Sequence, residues 1–405
     1  MTAVSRVLVL NARYKHTLAA IRSLGRRNLE IVAADHTPWA MSFFSKYTMK
    51  RCLYRSPKRD MRGFVLDVVS IAERENVGVI MPIGVDTSVP LSLYKPLVEK
   101  YARMVIADYK SLIVAHDKAL AVKLAERLGV PVPRTIVPRS LKEVKEVARE
   151  LEYPVVIKRR RGSGAREGVR YARNPRELVV KYRELSRRPA EGIIEDFSRP
   201  MIQEYVPGEI RDVCTIFRRG ELRGIVVQRR VWTWPREGGP GILNETIRDP
   251  RLAEYAVRLL RALKWHGPAQ VEFKLDADGR PRLMEINPKF WGTLELSIKA
   301  GVDFPYMYYR IAVEGDVEPV SRYREGLYIL WPFPHDVEYL LSSPAPLEDL
   351  RFLLTLLLEN RGKIVSDVSL SDPGPEAYKL KITVRAMLRA LISRTGGVRL
   401  ERRRS

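Results

Sequence analysis

Short apolar runs and helical spacing alternate along the opening of the chain. Residues 7–10, 30–34, 77–81 and 104–107 are compact apolar stretches that predict strands, with a helix expected over 17–27. Strands alternating with helices define βαβ units, hence a parallel sheet whose ligands gather at the carboxyl ends of its strands. The loop after the first strand reads Asn11-Ala12-Arg13-Tyr14 and has no glycine. A dinucleotide fold needs glycines there so that the pyrophosphate can approach the backbone, and an oxidoreductase of that kind loses its main support.

From Asp117 the pattern changes. Helix starts are marked by Asp117 before Lys118, by the capping box Ser140-Leu141-Lys142-Glu143, by Asn174-Pro175 and by Asp249-Pro250. The last opens a helix with Leu252, Tyr255, Leu259, Leu260 and Leu263 on one face. Strands are expected at 155–158, 201–205, 213–217 and 225–230, an α+β region. After Glu318 the pattern weakens into Pro-rich connections. A basic amphipathic helix follows, with Leu380, Val384, Met387, Leu388 and Leu391 on one side and Lys381, Arg385 and Arg389 on the other. There is no internal repeat, and low complexity is confined to Arg402-Arg403-Arg404.

The most informative segment runs from Gln270 to Asn287, where two alternating stretches flank Asp278-Gly279, a strong hairpin signal. Folding symmetrically about that dipeptide sets Glu272 opposite Glu285 and Gln270 opposite Asn287. Val271, Phe273, Met284 and Ile286 then fill the buried face. Opposed like charges destabilise a sheet, and a divalent cation reverses that sign. Oxygen ligands without His or Cys suit Mg²⁺ held jointly with nucleotide phosphates; the plainer alternative is a solvated charged hairpin with Lys274 as neutraliser. Upstream, the strand at 155–158 ends in Lys158 and runs into Gly162-Ser163-Gly164, a lysine and loop able to bind phosphate or, equally, to form an ordinary hairpin loop.

Composition narrows the partners. At 405 residues the chain exceeds what one core serves, so two or three subdomains around a cleft are expected. Lys plus Arg number 71 against 48 acids, a net charge of +23, which points to an anionic partner. Cys52 and Cys214 form neither a CxxC pair nor a disulfide framework and read as buried thiols of a reducing compartment. The opening reads as a strand rather than a signal peptide, and the apolar stretch at 352–358 is too short to span a bilayer, so a cytoplasmic protein is expected. Three glutamines beside abundant Arg and Glu predict a thermophilic source.

The order of elements then carries a resemblance. Lys118, Ile157-Lys158 with its glycine loop, Gln203-Glu204-Tyr205-Val206-Pro207-Gly208-Glu209, Glu272 and Met284-Glu285-Ile286-Asn287-Pro288-Lys289 look like the successive motifs of the ATP-grasp superfamily. Biotin carboxylase, D-alanine-D-alanine ligase and the carbamoyl phosphate synthetase large chain share that order. Residues 7–14 and 285–293 further resemble a branch of predicted ATP-grasp carboligases, and the likeness covers roughly residues 1–315.

The resemblance implies a parallel α/β pre-ATP-grasp domain over 1–110, a two-lobed ATP-grasp module over 111–316 and a small basic segment over 317–405. It implies that Lys118 and Lys158 hold the α- and β-phosphates and that Gly162, Ser163 and Gly164 form a phosphate flap. Gln203, Glu204 and Val206 would meet the adenine and Glu209 the ribose. Glu272, Glu285 and Asn287 would bind Mg²⁺ (or Mn²⁺), with Arg230 stabilising the transferring phosphoryl group. Lys289 stands where the family often has the Arg that meets the acyl phosphate and would take that catalytic role beside Arg230, though Lys cannot make a bidentate fork.

The implied activity is Mg·ATP-dependent joining of a small carboxylate to an amine (or thiol) through an acyl phosphate, with release of ADP. The rivals are a phosphotransferase or carbamoyl-phosphate-type enzyme, and a nucleotide-regulated protein that binds anionic surfaces. Loops at 11–14, 35–36 and 83–87 would select substrate, with Arg13 and Arg211 as candidate carboxylate anchors. Trp232 and Trp234 are read as part of a lid, or as surface packing, and His116 as a helix-start residue in preference to a base. A homodimer, and an anionic-surface contact by the basic segment, complete the expected partners.

Overall fold

Three sheets organise the computed structural model, which describes residues 6–162, 165–188, 192–233, 239 and 241–401. Strands β1 (Arg6–Leu10), β2 (Glu30–Asp35), β3 (Thr48–Leu53) and β4 (Val79–Met81) form an all-parallel sheet in the order β3-β2-β1-β4. The helix Lys15–Gly25 makes the first crossover. The edge strand β3 escapes sequence reading because it is largely exposed and shows no apolar run. The strand expected at 104–107 does not form. Its backbone bonds side chains instead: Val105 N donates to Tyr308 Oη (3.0 Å), Ser92 Oγ to the Ala107 carbonyl (2.7 Å) and Lys95 Nζ to the Ile106 carbonyl (3.0 Å).

A small antiparallel sheet follows: β5 (Thr135–Ile136), β6 (Val155–Lys158), β7 (Val169–Ala172) and β8 (Met201–Glu204), ordered β5-β8-β6-β7. Leu178, Tyr182 and Leu185 of helix Pro175–Ser186 close its core. The largest sheet holds β9 (Ile210–Arg218), β10 (Glu221–Thr233), β11 (Gly241–Ile247), β12 (Gly267–Leu275), β13 (Pro281–Asn287), β14 (Tyr328–Leu330) and β15 (Ile364–Ser366). Its order is β13-β12-β9-β10-β11-β14-β15. All four helix starts read from sequence carry their caps: Asp117, Ser140, Asn174 and Asp249 each accept an amide of the first turn.

Two apolar clusters tie the parallel sheet to the large one. One joins Leu8, Val32 and Ile80 to Leu259, Val271 and Phe273; the other joins Val7 and Val9 to Trp291, Phe304 and Tyr308. Beyond the expected boundary at 316, β14 and β15 extend the edge of the large sheet. The segment beyond is fastened to the first domain as well. Arg22, buried, donates to Asp372 (2.8 Å) and Glu376 (2.8 Å) around the start of helix Pro373–Glu401. Among the described residues no helix is long and apolar enough to cross a membrane. Cys52 and Cys214 are both buried and free.

Candidate active site

The hairpin β12–β13 builds the floor of the site, and its register is irregular. Asp276 N donates to the Arg280 carbonyl (2.9 Å) and Gly279 takes a positive φ of 71°, so the turn is wider than two residues. Near the turn Leu275 pairs Pro281. A bulge between Glu272 and Phe273 then restores the pairing that a two-residue turn would give, setting Glu272 opposite Glu285 and Gln270 opposite Asn287. The bulge also corrects an expectation. Leu283, not Met284, joins Val271, Phe273 and Ile286 in the core, while the Met284 sulfur turns into the cleft, 3.9 Å from Lys158 Nζ.

A third carboxylate stands in the same row. On β9 Asp212 pairs Glu272, so three acids lie side by side across three strands. Arg230 on β10 offsets them, donating Nε and Nη2 to Asp212 (2.8 Å each), Nη2 to Glu272 and Nη1 to the Gly239 carbonyl (2.8 Å). Burial alone would lower the Arg230 guanidinium, but Asp212 and Glu272 outweigh it and hold it above the ordinary arginine value. The two opposed glutamates diverge. Burial raises the Glu272 carboxyl, with Arg230 opposing and Glu285 and Asp212 adding to the rise. Burial acts upward on Glu285 too, but Lys118, Asn287 and Lys158 overcome it and hold that carboxyl at about 2.

The roof comes from the small sheet and the helix beside it. Lys118 is the first residue of helix Lys118–Arg127, and its cap Asp117 is clasped by Arg160 (2.6 Å). Its ammonium reaches Glu285 (3.0 Å) and the Gly162 carbonyl (3.2 Å). Gly162 sits at φ 118°, a conformation that needs glycine. Lys158, closing β6, donates to Gln203 Oε1 (2.8 Å) on β8, and burial lowers it to about 8 against the pull of Glu285 and Glu272. β8 ends at Glu204, Tyr205 and Val206 lead on toward β9, and Lys274 donates to the Val206 carbonyl (3.1 Å). Gly208, at φ 101°, passes so close to the Leu275 carbonyl that a Cβ would stand 2.2 Å from it.

Lys118, Lys158, Gly162, Gln203, Glu204, Val206, Arg230, Glu272, Glu285, Asn287 and Lys289 thus line one cleft between the small and large sheets. Glu209 lies just outside it, in an adjoining depression with Arg230 and Lys274, where it is held by Arg211. Ser163, Gly164 and Trp234, with the rest of 234–238 and residue 240, lie outside the described residues. Lys289 is lowered by burial, and its ammonium has only the Phe290 carbonyl at 3.4 Å among the described residues. Asn287 donates to Glu285 (2.8 Å).

Sequence reasoning missed Asp212, Met284 and His16. Asp212 was findable from the period-2 alternation of β9, since it faces the same way as its cross-strand neighbours. His16 stacks on Tyr14 at 5.0 Å and is kept neutral by burial, with Lys289, Lys15 and Arg13 adding to that effect. Trp232 is not a lid residue: it is buried in T-shaped contact with Tyr339 and Phe352. His116 is buried against the Ile194 carbonyl (2.8 Å) and lowered to about 4 by burial. Both expected carboxylate anchors are engaged internally, Arg13 by Asp35 and Asp86 and Arg211 by Glu209 and Asp249.

The donor set fits a hard divalent cation only in company. Among the described residues no three His, Cys, Asp or Glu side chains gather as a metal cage. The hairpin offers Glu272, Glu285 and the Asn287 amide, now bonded by Arg230, Lys118 and one another, a complement that Mg²⁺ accepts when phosphates and water supply its other ligands.

Two family profiles match the chain end to end across this region. Carbamoyl-phosphate synthase L chain, ATP binding domain, matches 117–198, and ATP-grasp in the biosynthetic pathway with Ter operon matches 196–331. Residues 117–331 thus match ATP-grasp domain families. The carbamoyl phosphate synthase large chain of Pyrococcus furiosus is 23% identical over 315 residues, covering 74% of this chain and 27% of that protein. The chain spans about a quarter of the length of the curated relatives it matches first. Among solved structures, biotin carboxylase of Campylobacter jejuni in an ATP complex superposes with a TM-score of 0.67 at 18% identity, covering 80% of this chain and 74% of that one. An L-amino acid ligase from Bacillus licheniformis gives 0.61 at 13% identity, with 79% of each chain covered. Both share the fold: an α/β first domain followed by the two lobes of an ATP-grasp module.

Proposed function

We propose that the protein is a Mg·ATP-dependent ligase that activates a small carboxylate as an acyl phosphate and joins it to an amine or thiol. The observation that carries this reading is the cation set: Lys118, Lys158, Arg230 and Lys289 converge on the carboxylate hairpin. No Ser–His or Cys–His pair accompanies them among the described residues, and the nearby Cys214 is fully buried. Such a site stabilises charge on a transferring phosphoryl group and leaves the attacking atom to the substrate.

Lys118 and Lys158 hold the α- and β-phosphates under the loop at Gly162, Ser163 and Gly164. Gln203, Glu204 and Val206 face the adenine, and Glu209 the ribose. Glu272, Glu285 and Asn287 would hold Mg²⁺ or Mn²⁺, which neutralises phosphate charge when bound. Arg230 is prealigned by Asp212. Lys289, the cation with least to bond, meets the carboxylate and then its acyl phosphate as a point charge. A carboxylate oxygen attacks the γ-phosphorus and the bond to ADP breaks. The amine or thiol then attacks the acyl carbon, inorganic phosphate leaves, and the nucleophile's proton passes to solvent.

A carbamoyl-phosphate-type or other phosphotransferase reading is favoured by one finding, the likeness to carbamoyl phosphate synthase large chains. The products decide. With Mg·ATP, a panel of small carboxylates and amino acids should stimulate ADP release, and hydroxylamine should intercept the intermediate as a hydroxamate. AMP as the nucleotide product, or phosphate left on a stable hydroxyl, would overturn the ligase reading.

A further inference from the structure

Helix Pro373–Glu401 is fastened by its charged side and turns its apolar side out. Asp372 accepts from Arg22, Ser45 Oγ and Lys46 N, each at 2.8 Å, and Lys379, buried, bridges Asp367 (3.0 Å) and Glu376 (2.7 Å). Tyr378 stacks on Phe44 at 4.9 Å, and Thr383 is buried one turn on. The hydrophobic stripe of the same helix faces solvent: Leu380, Val384, Met387 and Leu388 are 50, 46, 41 and 52% exposed. A helix that only docks on its own fold hides that stripe. Among the described residues, thirteen of the twenty-one exposed large apolar side chains lie beyond residue 330, so uncovered apolar surface belongs to this region rather than to the molecule at large.

Charge selects what covers the stripe. From residue 380 onward the chain has eight Lys or Arg and one acid, Glu401. Two copies packed stripe to stripe would bring these like charges together. A nucleic acid would take the cations but give the leucines nothing to bury. An anionic bilayer takes both, the stripe at the boundary of headgroups and acyl chains and the cations at the lipid phosphates.

We propose that helix Pro373–Glu401 docks the protein in the plane of an anionic lipid surface. This stands independently of the ligase reading. The test is co-sedimentation of the whole chain with phosphatidylcholine vesicles, with and without phosphatidylglycerol, at low and high salt. Binding is expected on the anionic vesicles at low salt and should fall on the order of tenfold or more on neutral vesicles or at high salt. The triple variant Leu380→Ser, Val384→Ser and Leu388→Ser changes no charge and alters only exposed positions. It should weaken vesicle binding by a similar factor while the melting midpoint and ADP release stay at parental values. Three results would overturn the proposal: no binding to anionic vesicles at low salt; parental binding by the triple variant, which marks a general polyanion binder; or a parent that self-associates where the variant is monomeric, which assigns the stripe to a second copy.

Discussion

Two clusters of ionic groups line separate depressions of the molecule, and they differ in how much cationic charge is left over. In the cleft, Lys118, Lys158, Arg159, Arg230, Lys274 and Lys289 line the walls against Glu204, Glu272 and Glu285, leaving cationic charge to spare. In the depression at the strand ends of the parallel sheet, Arg13 and Lys58 meet Asp86, Glu167 and Glu195, with the buried Asp35 behind. Arg13 donates to Asp35 (2.9 Å), Asp86 (2.8 Å) and Tyr14 Oη (2.8 Å), so its charge is consumed inside the protein. Asn11 fixes that arrangement, donating to Asp86 and accepting from Gly84 N and Thr87 Oγ1. A cation named from sequence is therefore only a candidate for a ligand. Its neighbours decide whether its charge is still available, and of these two depressions the cleft keeps the excess suited to a polyphosphate.

The sharpest way to break this contrast is to remove both arginines separately. Arg230→Met and Arg13→Met each strand two largely buried carboxylates, and each should cost about 3–5 kcal/mol in denaturant unfolding. Arg230→Met should also abolish ADP formation in the fraction that remains folded. Arg13→Met should leave Mg·ATP binding near parental, and equal loss of nucleotide binding in both would erase the distinction. Next in size is Glu285→Gln, expected to reduce turnover on the order of 10²-fold. Parental ADP release by that variant would remove the hairpin from the chemistry.

The smallest effect is a pH dependence. Lys158 is lowered from 10.5 to about 8, chiefly by burial, and phosphate binding needs its charged form. ATP affinity should be flat below pH 8 and weaken about tenfold per pH unit above it, as read by calorimetry. The stability term has the opposite slope. Between about 8 and 10.5 the unfolded chain binds the proton that the folded chain has lost, so the destabilisation from burying this charge is full below pH 8 and fades as pH rises. Lys274 and Lys289 are also lowered by burial, so Lys158→Arg isolates the first lysine by flattening its part of the profile.

What the sequence by itself determined was local. Asp117, Ser140, Asn174 and Asp249 were readable as helix starts because a cap and the amide it accepts lie within three residues. Strict alternation and a two-residue turn set Glu272 opposite Glu285, and that facing holds because the bulge offsets the wider turn. The same rule misplaced Met284, since a bulge adds a residue that alternation does not show. Tertiary structure alone decided the rest. It set Asp212 beside Glu272, joined Arg230 to a glutamate 42 residues away, neutralised Arg13 against a strand end and a helix start, dissolved the strand expected at 104–107 and turned the stripe at Leu380, Val384 and Leu388 outward. Each of these depends on segments far apart in the chain meeting in space, where desolvation and the sign of the nearest charge outweigh anything a residue's own neighbours in sequence impose.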